Sequence, residues 1–113
     1  TLPLLMALGN AFPSGQSEGA DERIRWFQAA AAVAPDNPSP LNNLGIALYD
    51  WDDPDGAIAA FRDAIRVDPT YAYAYNNLGN VLREKIDWDG AIDAYRKSIR
   101  YDPTHSHAYN GLG

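Results

Sequence analysis

An all-α protein built from stacked antiparallel helix pairs is the fold that the sequence predicts, and three observations lead to it. The chain repeats itself at a shift of 34 residues, so that LNNLGIAL at 41–48 returns as YNNLGNVL at 75–82. Apolar residues follow helical spacing within each copy. Asp and Pro residues recur where helices would begin and end. Self-similarity at one fixed shift is the signature of a repeat architecture.

The composition is that of one globular domain and excludes several classes of function. The 113 residues are 46% hydrophobic and 21% charged, which disfavours disorder. The net charge is −6, from 15 acidic and 9 basic residues, and the cations form no basic stripe of the kind that nucleic-acid binders need. Cysteine is absent, so disulfides, thiol catalysis and thiolate metal sites are excluded. The apolar opening TLPLLMAL is too short to span a membrane.

Residues 2–37 are predicted to form a degenerate copy of the repeat. The turn between its two helices is about two residues longer than in the later copies. The residues that occupy repeat positions are Leu5, Leu8, Gly9, Phe12, Ile24, Phe27, Ala30 and Pro35. Pro13 departs from the pattern, so no shape is predicted for this first turn.

Residues 38–71 form a clear copy, and their first helix is predicted from apolar spacing. The apolar residues with helical spacing are Leu41, Leu44 and Leu48. We expect Ser39 to be the N-cap of this helix, with Pro40 at the first helical position.

The second helix of each clear copy has its own start and stop residues. Asp53 and Asp87 are predicted N-caps, and Pro54 suits the first helical position. Pro69 and Pro103 are predicted to end these helices, because a proline ring prevents a helix from continuing past the preceding residue.

Residues 72–105 are the next copy, and residues 106–113 are predicted to begin a further one. The alternation in YAYAY at 71–75 would by itself indicate a strand. The repeat register instead places these residues at the start of a first helix, so we predict a helix there. The whole chain, 1–113, is expected to be one domain and a fragment of a longer protein.

This pattern resembles the tetratricopeptide repeat family, whose 34-residue unit carries W-x-x-L-G-x-x-Y, then A-x-x-x-F, then P. The matching residues are Leu41, Leu44, Gly45, Leu48, Ala57, Phe61, Ala64 and Pro69 in one copy, and Tyr75, Leu78, Gly79, Leu82, Ala91, Tyr95, Ser98 and Pro103 in the next. The resemblance implies a right-handed superhelix in which the first helices line a concave groove. It also implies a protein or peptide partner and no catalysis.

The small residues of the pattern are predicted to let helices approach closely. Gly45 and Gly79 should lie opposite Ala57 and Ala91 of the paired second helix. One helix pair cannot cover its own apolar surface, so stacking of successive pairs should supply the core.

A second stripe of polar residues lies nearly opposite the core positions of each first helix. The resemblance implies that this stripe faces the groove and binds peptide through Asn42, Asn43, Tyr73, Asn76, Asn77, Asn80 and Asn110. An asparagine amide both donates and accepts, so it can pair with a peptide backbone whatever the side chains are. The arm of O-linked N-acetylglucosamine transferases is similar, with asparagines at the positions of Asn43 and Asn77. The alternatives are a solvated face copied by duplication, or amides that join adjacent first helices.

Other chemistry is not predicted. Chaperone-binding members of the family use Lys and Arg on the groove stripe, and those cations are missing here. DWDDPDG at 50–56 has Trp51 and Arg62 where a calcium loop needs acids, and His105 and His107 are badly spaced for a metal. We expect the tryptophans to be partly buried, with Trp51 a candidate anchor for a partner. No cofactor, metal, catalytic residue or membrane insertion is predicted.

The predicted function is a non-catalytic scaffold that binds an extended peptide or a partner helix in the groove. One alternative is a structural solenoid in a large assembly, or one that self-associates through its C-terminal end. Another is the substrate-recognition arm of a larger glycosyltransferase-type enzyme. The location is expected to be cytoplasmic only by default.

Overall fold

Six α-helices make up the part of the chain that the computed structural model describes, residues 2–10 and 19–104. The helices are α1 (Leu2–Asn10), α2 (Ala20–Val33), α3 (Pro38–Asp50), α4 (Pro54–Val67), α5 (Ala72–Glu84) and α6 (Trp88–Tyr101). These described residues contain no strand, so the all-α prediction is confirmed. YAYAY enters α5 at Ala72, as the repeat register predicts.

The helices stack as pairs along the chain. Each helix packs against the next one in sequence, and α3 also contacts α5. The first helices of two successive repeats therefore lie side by side, with their second helices, α4 and α6, behind them. This is the arrangement of an α-helical repeat superhelix.

The predicted aspartate caps are confirmed at both second helices. Asp53 accepts a hydrogen bond from the Gly56 backbone N–H at 2.9 Å, and Pro54 is the first residue of α4. Asp87 accepts from the Gly90 N–H at 3.0 Å. A side-chain cap satisfies one of the N–H groups that a helix start leaves unpaired, so each cap defines where its helix begins.

The predicted cap of α3 is wrong. Asn37 is the N-cap, and its side chain accepts from the Ser39 N–H at 3.0 Å. Pro38, rather than Pro40, occupies the first helical position. The reason is that Asn37–Pro38, like Ser39–Pro40, offers a side-chain oxygen that accepts a hydrogen bond followed by a proline, and does so two residues earlier.

The core lies between the helix pairs and is rich in aromatic and aliphatic side chains. Its buried members are Ala57, Ile58, Phe61, Leu78, Val81, Leu82, Ala91, Ala94 and Tyr95. Side chains from α4, α5 and α6 share this one cluster, so the last two repeats depend on each other for burial of apolar surface.

The glycines of the first helices lie against aromatic rings of the paired second helices. The placement of Ala57 and Ala91 opposite these glycines stays a prediction. A Cβ atom on Gly45 would be 2.4 Å from the Phe61 ring, and one on Gly79 would be 2.7 Å from the Tyr95 ring. Gly9 has the same relation to Phe27, at 2.4 Å. Each aromatic ring therefore occupies the space that a side chain would need.

Two of the three tryptophans are more exposed than predicted. Trp51 and Trp88 are exposed at the turns between paired helices, while Trp26 is partly buried. Beside Trp88, Ile86 is 69% exposed and has φ of 63°. Asp52 occupies the equivalent turn one repeat earlier, with φ of 67°. A left-handed backbone is costly for a β-branched residue and tolerated by Asp.

Replacing Ile86 by glycine is expected to stabilise the protein. Ile86→Gly removes the steric cost of a β-branched residue at positive φ, and the side chain gives up little burial. We expect the free energy of unfolding to rise by about 1 kcal/mol. Asp52→Gly is the matched control and should raise it less. Urea unfolding followed by circular dichroism measures both, and equal or reversed effects would contradict strain at Ile86.

Candidate functional site

The predicted stripes of α3 and α5 meet where these two helices lie side by side, and we call this surface the groove. It contains a cleft of about 360 Å³ between the two helices, the amide cleft. Its apolar wall includes Ile46, Phe61 and Val81, and its polar wall includes Asn77 and Asn80. Two of the predicted residues, Asn77 and Asn80, thus line a recess with both apolar and amide walls, which is the mixture typical of binding sites.

Asn77 joins the two first helices. Its Nδ2 donates a hydrogen bond to Asn42 Oδ1 at 3.0 Å. Asn42 is only 6% exposed, whereas Asn77 remains partly exposed at the amide cleft. The contact corresponds to the alternative in which amides join adjacent first helices. It holds one exposed amide in a defined orientation.

Asn80 is held from the core. Its Oδ1 accepts a hydrogen bond from the Tyr95 hydroxyl at 2.5 Å, so its Nδ2 is the group left to meet solvent or a ligand. Burial raises the pKa of the Tyr95 hydroxyl. A tyrosine hydroxyl is protonated at neutral pH even without such a shift, so Tyr95 is the donor in this bond. One repeat earlier, Phe61 and Ile46 occupy the same two positions. The hydroxyl and the amide therefore occur together in one repeat, and both are absent from the other.

The remaining predicted residues differ in their exposure. Asn76 is 6% exposed, and its Oδ1 has no hydrogen-bond partner among the described residues. Asn43 is partly exposed and Tyr73 is exposed. Asn110 lies outside the described residues, as does His107. Peptide contact by any of these side chains stays a prediction.

A buried ion pair beneath the groove was not predicted. Arg23 of α2 and Asp50 of α3 approach to 2.7 Å, and their side chains are 2% and 4% exposed. In the repeat register, Arg23 stands where the later copies have Ala57 and Ala91. An arginine at a position that is otherwise small and buried was the signal in the sequence, because such a charge needs an opposite charge nearby.

The far end of the groove is acidic. The Tyr49 hydroxyl donates to Glu84 Oε2, and this hydrogen bond is the main cause that raises the pKa of Tyr49 to about 12. Beside the amide cleft lies a second cleft of about 270 Å³, the acidic cleft, which Tyr49, Asp50, Asp52 and Glu84 help to line. The two clefts share Tyr49, Asp50 and Glu84.

Residues 2–10 and 19–104 contain neither a metal site nor a membrane-spanning helix. Within 2–10 and 19–104, no three His, Asp or Glu side chains are grouped so as to hold a metal ion. None of the helices in these ranges combines the length and apolar character that crossing a membrane requires.

Stacked helix pairs with a recessed face on their first helices define the class of α-helical repeat scaffolds. The tetratricopeptide repeat family model matches residues 42–106, and the chain belongs to this family. Members of the family are generally non-catalytic interaction modules. No curated protein matches the chain in sequence.

Solved structures of the same fold resemble the chain over nearly its whole length. The Sgt2 TPR domain from Aspergillus fumigatus has a TM-score of 0.87 and 27% identity, and the match covers 98% of this chain and 74% of that one. The first TPR of Spaghetti (RPAP3), bound to the HSP90 peptide SRMEEVD, has a TM-score of 0.87 and 21% identity, with 98% and 86% covered. A Thermobaculum terrenum O-GlcNAc transferase mutant has a TM-score of 0.84 and 24% identity. That match covers 98% of this chain and 21% of the transferase. The last two likenesses are of fold alone.

Breaking the buried ion pair is expected to be strongly destabilising. Arg23→Ala leaves the Asp50 carboxylate buried without its partner, which should cost about 3–5 kcal/mol of unfolding free energy. Removing both charges, in Arg23→Ala/Asp50→Ala, should recover a large part of that loss. Chemical denaturation of wild type, Arg23→Ala, Asp50→Ala and the double variant gives the coupling energy. A double variant as unstable as the sum of the two single variants would mean that the pair contributes nothing.

Proposed function

We propose that this chain is a protein-interaction domain that binds an extended peptide along the groove of α3 and α5. The observation that carries the proposal is the amide cleft of about 360 Å³, with Asn77 and Asn80 on its polar wall. An apolar recess with a few oriented polar groups is what a peptide site requires.

The two amides offer complementary hydrogen-bonding groups. Asn77 uses an Nδ2 hydrogen on Asn42, so its Oδ1 can accept from a peptide N–H. Asn80 uses Oδ1 on Tyr95, so its Nδ2 can donate to a peptide C=O. Because both side chains are already held, little rotamer entropy is lost when the peptide binds.

The proposal gives the predicted residues unequal roles. Asn77, Asn80, Asn43 and Tyr73 are proposed to contact the peptide, and Asn110 would extend the same stripe. Asn42 and Asn76 are largely covered, so we assign them to support of the neighbouring amides. The RPAP3 domain, whose structure holds a peptide, supports the proposal as an example of peptide binding on this fold.

Selection from a displayed library of random dodecapeptides tests the proposal. We expect the chain to enrich a set of peptides, and Asn43→Ala/Asn77→Ala to weaken their affinity roughly tenfold, as loss of two hydrogen bonds predicts. Fluorescence polarisation with an enriched, labelled peptide measures this change.

Asn42→Ala is the matched comparison for that experiment. It removes the support of Asn77 but keeps the Asn43 and Asn77 amides, so its affinity should fall by less than that of the double variant. Melting curves confirm that all variants are folded. The proposal fails if the chain enriches no peptide, or if the double variant binds as tightly as wild type.

A further inference from the structure

We infer that the groove selects peptides in which an apolar residue is followed closely by Lys or Arg, and that it disfavours acidic peptides. This inference rests on the proposed function, since it names the chemistry of the peptide that the same groove would take. Its basis is the arrangement of two adjoining clefts, one largely apolar and one lined by carboxylates.

The amide cleft offers a place for an apolar side chain. Phe61 and Val81 are almost fully buried and form its floor, and Ile46 is partly exposed beside them. These side chains come from α3, α4 and α5, so the floor is part of the packed core and is rigid. An apolar residue of a ligand would gain burial here without rearranging the protein.

The acidic cleft begins where the amide cleft ends. All of the charged side chains that line it are carboxylates, those of Asp50, Asp52 and Glu84. The two clefts share the lining residues Tyr49, Asp50 and Glu84. A ligand with one residue in the amide cleft would therefore place a nearby residue at the acidic cleft. The spacing between the two preferred ligand residues is therefore short.

The three carboxylates are not equally available. Asp50 is paired with Arg23 and is nearly covered, so it contributes little to a ligand. Glu84 and Asp52 are exposed and form no ion pair among the described residues. Glu84 accepts from the Tyr49 hydroxyl, which orients its carboxylate without neutralising it. These two groups would meet a ligand cation.

The nearby cations offset only part of this charge, because neither Arg83 nor Lys85 lines the acidic cleft. Arg83 is an exposed cation that lines the amide cleft, and its guanidinium lies over the Tyr95 ring, 6.0 Å from the centroid. Lys85 is paired with Asp55 at 2.6 Å. The chain as a whole carries a net charge of −6, so its field attracts cationic segments and repels acidic ones.

Sequence analysis of the peptides enriched from the random dodecapeptide library tests this inference. Lys or Arg should be over-represented within three positions of an enriched apolar residue, and Asp and Glu should be depleted. Affinity for an enriched peptide, measured by fluorescence polarisation, should fall as salt is raised.

Two variants connect this preference to the acidic cleft. Asp52→Asn/Glu84→Gln should weaken binding of the basic peptide about tenfold, because two charges at the rim of the site are lost. The same variant should barely change binding of an analogue of that peptide in which Lys and Arg are replaced by Gln. Asp21→Asn/Asp89→Asn removes two exposed carboxylates outside both clefts and is the charge-matched control, expected to have little effect.

The outcomes separate the inference from the proposed function. Enrichment of neutral or acidic peptides that still depend on Asn43 and Asn77 would overturn the inference and leave the proposed function standing. An equal loss of affinity in the control pair would assign the preference to net charge and overturn the role of the acidic cleft. Failure to enrich any peptide would overturn both.

Discussion

A glycine of each first helix packs directly against an aromatic ring of the paired second helix. This contact fixes how the two helices of a repeat face each other. Gly45 meets Phe61 and Gly79 meets Tyr95, so close that a Cβ atom would overlap the ring. This packing turns the Leu–Gly face of each first helix inward. The asparagines then lie where α3 and α5 meet, with Asn77 and Asn80 partly exposed at the groove and Asn42 and Asn76 largely covered. The core thereby determines which residues a partner can reach.

The same aromatic position connects the core to the groove. Tyr95 fills the seam of its repeat, and its hydroxyl also holds Asn80 in place. Phe61 fills the equivalent seam but has no hydroxyl, and the groove residue above it is Ile46. These two differences between the repeats place Asn80 on the polar wall of the amide cleft and Ile46 on its apolar wall. Tyr95→Phe would therefore change the groove, where Asn80 loses its hydrogen bond, as well as the core.

Most of the fold could be predicted from the sequence, because repeat period, helix caps and core spacing are local signals that occur twice. Asp53 and Asp87 act as predicted, since a cap needs only a neighbouring N–H group. The prediction that Ser39 is the N-cap of α3 was wrong, because Asn37 takes that role two residues earlier. The partners within the candidate site were harder to predict. The Asn42–Asn77 hydrogen bond and the Arg23–Asp50 pair join residues 35 and 27 positions apart, and their geometry depends on how repeats stack.

NMR of the asparagine side-chain NH₂ groups detects whether the groove amides contact a bound peptide, as we propose. On addition of a captured peptide to ¹⁵N-labelled protein, we expect the Asn43, Asn77 and Asn80 side-chain resonances to shift. The resonances of backbone amides on the solvent face of α4 and α6 should not shift. Shifts confined to resonances of α4 and α6, with no shift of the Asn43, Asn77 and Asn80 side-chain resonances, would contradict peptide binding in the groove.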